Sequence, residues 1–67
     1  MTKQQALAKW AEVYGKSLTL NGFAGTCINT AIAYGVSDMV NQTKNMDDNS
    51  AAFMINDDAD WMLEKMA

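Results

Sequence analysis

The chain has 67 residues, 49% of them hydrophobic and 19% charged, with a net charge of −3, one cysteine, no histidine and no arginine. A chain of this size makes one domain (residues 1–67) that buries only roughly 60% of its unfolded surface, and it is too apolar to stay disordered. The acidic balance without arginine argues against direct nucleic-acid binding, and too few cysteines with no histidine argue against a zinc cluster. One cysteine cannot form an internal disulfide, so a reducing, cytoplasmic setting is expected. The polar start, Met1 to Gln5, and a longest apolar run of Ala51 to Ile55 predict neither a signal peptide nor a membrane span.

Thr2 followed by Gln5 predicts a capping box opening a first helix. Leu7, Trp10, Ala11 and Tyr14 fall on one helical face, and Gly15 supplies a left-handed cap, so this helix is expected over residues 3–15. Lys16 to Gly22 then reads as a connection. Ala24, Ile28, Ala31, Ile32, Gly35 and Met39 form a narrow stripe at helical period, which predicts a second helix over 23–43. Gly35 costs about 1 kcal/mol relative to alanine in a helix but allows a neighbouring backbone to come close. The rival is a helix that ends at Gly35 and restarts at Ser37.

A polar loop, Lys44 to Asn49, precedes a third helix over 50–66 capped by Asn49 or Ser50. Its core face is Ala52, Ile55, Ala59, Met62, Leu63 and Met66. The alternative breaks it at Asn56 and turns Trp61 into the core. The resulting fold class is all-α, a small three-helix domain. The six methionines fill irregular gaps but also suit adaptable binding surfaces.

Chemistry-bearing motifs are absent on inspection. Gly15-Lys16-Ser17 ends like a phosphate-binding loop, yet Trp10 stands where that loop needs glycine. Gly22-Phe23-Ala24-Gly25 has the spacing of an RNA-clamping loop without the basic neighbours it requires. Frames starting at Asn45 or Asp47 lack the glycine and glutamate of a calcium loop. No cation lies within a helical turn of Cys27, which is expected to be a half-buried structural thiol. Neither a cofactor nor a metal nor an enzymatic activity is expected.

Charge divides the chain unevenly. Residues 1–37 carry Lys3, Lys9 and Lys16 against Glu12, a balance of +2, whereas residues 38–67 set Lys44 and Lys65 against seven carboxylates, a balance of −5. The acidic segment also holds large apolar side chains, and Phe53, Met54, Asp57, Asp58, Asp60 and Trp61 are the candidate partner-binding residues, because tryptophan anchors and acidic rims suit a basic protein surface. The competing reading makes them a solvated face plus aromatics recruited to a small core. The expected function is that of a noncatalytic interaction module, an inhibitor or regulator of the compact phage-encoded kind. The alternative is a homo-oligomeric structural or assembly protein, with a homodimer burying apolar flanks.

Overall fold

Thr2 starts the first helix as expected: its hydroxyl accepts the Gln5 amide at 3.1 Å, and Gln5 Oε1 accepts the Thr2 amide at 2.9 Å. In the computed structural model, which describes residues 1–67, three helices follow: α1 (Lys3–Leu20), α2 (Thr26–Thr43) and α3 (Asp48–Met66). The all-α, three-helix fold is therefore observed. Ala6, Trp10 and Val13 of α1, Met39 of α2, and Ala52, Ile55, Ala59 and Met62 of α3 make one hydrophobic cluster. Leu7, Tyr14, Val36 and Met66 pack against its edge.

The helix boundaries differ from the sequence expectation in three places. α1 does not stop at Gly15 but runs five residues further, to Leu20, through the expected connection. The apolar stripe continues to Leu18, which is buried, and glycine at position 15 leaves room for Ile32 of α2. The real stop is Asn21, whose side-chain amide donates to the Ser17 carbonyl, followed by Gly22 with φ of 91°. α2 starts at Thr26 rather than Phe23 because Gly25 has φ of 61°, which leaves Phe23 and Ala24 in the turn. α3 starts at Asp48 with Asp47 as N-cap, and neither α2 nor α3 breaks internally.

Long-range pairs give the helix directions. Lys3, Lys9 and Trp10 of α1 meet Asp48, Asn56 and Asp58 of α3 in order, so α1 and α3 run parallel. Gly15 lies against Ile32, and Gly35 against Trp10 and Tyr14, so α2 runs antiparallel to α1. α1 is the backbone neighbour of both, whereas the α2 and α3 backbones come close at few points and α2 joins the common cluster through Met39. Three alanines in the cluster let α1 and α3 approach closely. α2 buries only Met39 and Thr43.

The Cα extents are 35 × 24 × 15 Å. A shallow valley runs along the seam of α2 and α3. No helix is long and apolar enough to cross a membrane.

Candidate interaction surface

α3 buries the face carrying Ala51, Ala52, Ile55, Ala59 and Met62, and this fixes where its remaining side chains project. Met54, Asp58 and Trp61 fall at i, i+4 and i+7 on the flank that looks toward α2, with Asp57 beside them. Across the valley stand Met39 and Gln42 of α2. The lining continues over Gly35 and Asp38 of α2, and Trp10 and Tyr14 of α1 form its floor. Three carboxylates (Asp38, Asp57 and Asp58) and no lysine line this valley.

The six sequence-nominated residues thus divide. Met54, Asp57, Asp58 and Trp61 share the valley, but Phe53 lies on the opposite flank beside Met1, Asn49 and Asn56. Asp60 is also outside the valley, 2.8 Å from Lys9 Nζ, which donates to Asn56 Oδ1 as well. Asp58 serves two surfaces, since its Oδ2 accepts the buried Trp10 indole N–H at 2.7 Å while the residue remains on the valley wall. Asp60 and Asp58 consequently tie α3 to α1 from either side of the helix.

The aromatics are not recruited to the core. Phe53 is 75% exposed and Trp61 57% exposed, while the true core aromatic is Trp10, at 5%. Lys65, one turn after Trp61, places its ammonium 5.2 Å from the Trp61 ring centroid, a cation–π contact at the rim. Leu63, expected in the core, is instead 40% exposed, beside Lys16 and Leu20 at the end of α1.

Sequence reasoning missed the α2 wall. Asp38 and Gln42 sit four residues apart around Met39, a spacing visible in the chain, but nothing in the chain announces that this flank of α2 would border α3. Cys27 corrects another expectation, for it is exposed rather than half-buried. It lies seven residues before Tyr34, on the same outward flank of α2, and Tyr34 is 71% exposed. The acidic loop tested for calcium geometry is mostly the first turns of α3, and no three acidic or thiol side chains are grouped so that they could hold a metal ion.

No protein-family model, curated protein or solved structure matches this chain. The functional reading therefore rests on the geometry of its surface.

Proposed function

We propose that this chain is a noncatalytic protein-binding module whose α2–α3 valley covers a basic surface of a partner protein, acting as an inhibitor or regulator. The observation that carries this reading is Trp61, a large apolar side chain more than half exposed on a wall shared with Met54 and two carboxylates. Removing such a ring from water provides the anchor, and the surrounding carboxylates select a cationic partner and speed encounter. The surface bearing Phe53 and Asp60 contributes less, because Asp60 is already neutralised by Lys9.

The test compares affinity capture by the native chain, a Trp61→Ala chain and an Asp57→Lys chain under stepwise increases in salt. Asp57 is exposed and has no ion pair, so its replacement leaves the fold intact. The expected outcome is one stoichiometric basic partner, released by salt and held roughly tenfold more weakly by either variant. Equal retention by all three chains overturns the proposal.

A second reading, self-association, is favoured by one specific feature. Leu20, Leu63 and Met66 form an apolar patch where the last turns of α1 and α3 meet, flanked by the Lys16 stem. If copies join there, the molar mass in light scattering rises with concentration and Leu63→Lys returns the chain to a monomer.

A further inference from the structure

We infer that Asn21 is a site of spontaneous deamidation, held back in the folded chain by the cap that ends α1. Of the six asparagines, Asn21 alone precedes a glycine. Deamidation begins when the backbone nitrogen of the following residue attacks the side-chain carbonyl carbon, and glycine, having no Cβ, leaves that nitrogen open to approach. Asn29, Asn41, Asn49 and Asn56 lie within α2 and α3, and Asn45 precedes the bulky Met46. Asn21 and Gly22 are both exposed, in the turn between α1 and α2. The Gly22 nitrogen gives up its proton and bonds to Asn21 Cγ, the Cγ–Nδ2 bond breaks, and the side-chain nitrogen leaves as ammonia with that proton. Water then opens the cyclic imide at one or the other carbonyl. The products are aspartate, with the ordinary backbone, and isoaspartate, with the backbone rerouted through Cγ.

The folded turn opposes each part of this step. The Gly22 N–H, which must lose its proton to attack, donates to the Thr19 carbonyl at 3.1 Å, and Asn21 Nδ2 donates to the Ser17 carbonyl at 2.9 Å. The Asn21 ψ of 10° turns the Gly22 nitrogen away from the position eclipsing Cβ that ring closure requires. The Phe23 amide fixes the same geometry from beyond the glycine, donating to the Leu18 carbonyl at 3.0 Å. These bonds all end on the last turn of α1, where Leu18 is buried but Thr19 and Leu20 are exposed. Fraying of that turn frees both reacting groups at once, so the rate follows the population of the opened turn. The product carries a carboxylate that cannot donate to the Ser17 carbonyl and lies at the negative end of the α1 dipole. It also places charge in a run, Ser17 to Ser37, that otherwise has none. Deamidation is therefore a slow, one-way loosening of the joint between α1 and α2.

The experiment incubates the full chain in mildly alkaline buffer, with and without enough urea to unfold it, and circular dichroism confirms the state of each sample. Peptide mapping by mass spectrometry follows amide-to-acid conversion at every asparagine, with isoaspartate separated from aspartate by chromatography. Conversion at Asn21 is expected to lead the other five asparagines in both samples, with isoaspartate among the products. The folded chain is expected to react roughly tenfold or more slowly than the unfolded one. A Gly22→Ala chain is compared in urea, where the fold plays no part, and is expected to react roughly tenfold more slowly because the added methyl crowds the attacking nitrogen. Equal Asn21 rates with and without urea overturn the protective cap. Conversion no faster at Asn21 than elsewhere, aspartate as the sole product, or an unchanged rate in the Gly22→Ala chain overturns the site itself.

Discussion

At position 35 the side chain is a hydrogen atom, and this sets how near α2 comes to α1. A Cβ there would lie 2.7 Å from both Trp10 Cη2 and Tyr14 Cε2. These rings are stacked, with centroids 4.7 Å apart, and the Trp10 indole is held by Asp58, so neither yields easily. Gly35→Ala gains about 1 kcal/mol of helix propensity but overpacks the contact by about 1–3 kcal/mol. The expected net effect is a loss of about 1 kcal/mol, measured as a lower urea midpoint at unchanged slope. A Cβ at Gly15 would meet only the terminal methyl of Ile32, at 3.1 Å, so Gly15→Ala is expected to be neutral or stabilising in the same assay. Asp58 provides a second test at this scale. Asp58→Ala strands the Trp10 N–H and is expected to cost about 1–3 kcal/mol, whereas Asp58→Asn keeps an acceptor and costs less, as thermal unfolding of the two variants will show.

The three helices are held with unequal strength. α1 and α3 share most of the buried cluster and are joined by Trp10–Asp58 and by Lys9 with Asn56 and Asp60. The Lys9–Asp60 pair is partly solvent-exposed and contributes at most about 1 kcal/mol, so burial dominates this interface. α2 contributes one residue to the cluster, and its N-terminal half has no fully buried side chain. Local opening follows the density of buried contacts. Amides of Ile28 to Tyr34 are therefore expected to exchange with solvent faster than those of Trp10 to Tyr14 or Ala59 to Leu63, measured by hydrogen exchange on the native chain. Equal protection along all three helices would show that α2 is held as firmly as the others.

For the whole molecule, the accessible surface of 4482 Å² exceeds the approximately 4,200 Å² expected from its 7.4 kDa mass. The radius of gyration, 11.8 Å, likewise exceeds the roughly 11 Å of a closed domain of this length. Both fit an elongated body, 35 Å long and 15 Å thick, and the seam of α2 and α3 gathers acid from two helices. An occupant binding only the folded chain stabilises it by mass action, about 2.7 kcal/mol at a concentration a hundred times its Kd. The melting temperature is consequently expected to rise when the captured basic partner is added to the native chain and to rise less for the Asp57→Lys chain at the same concentration.

The sequence by itself determined the helical class, the capping box at Thr2 and Gln5, the core roles of Trp10, Met39, Ile55, Ala59 and Met62, and the tolerance of α2 for Gly35. These depend on neighbours within a turn or two, whose spacing the chain displays directly. The end of α1 was obscured because Gly15 has two uses, cap and close contact, and only α2 lying against it selects the second. Four of the six nominated surface residues share one wall, but the separation of Phe53 and Asp60 from them depends on which flank of α3 faces α2. The valley itself, with Asp38 and Gln42 opposite Asp57 and Trp61, was decided by tertiary structure alone, since it arises where side chains of separate helices are brought together.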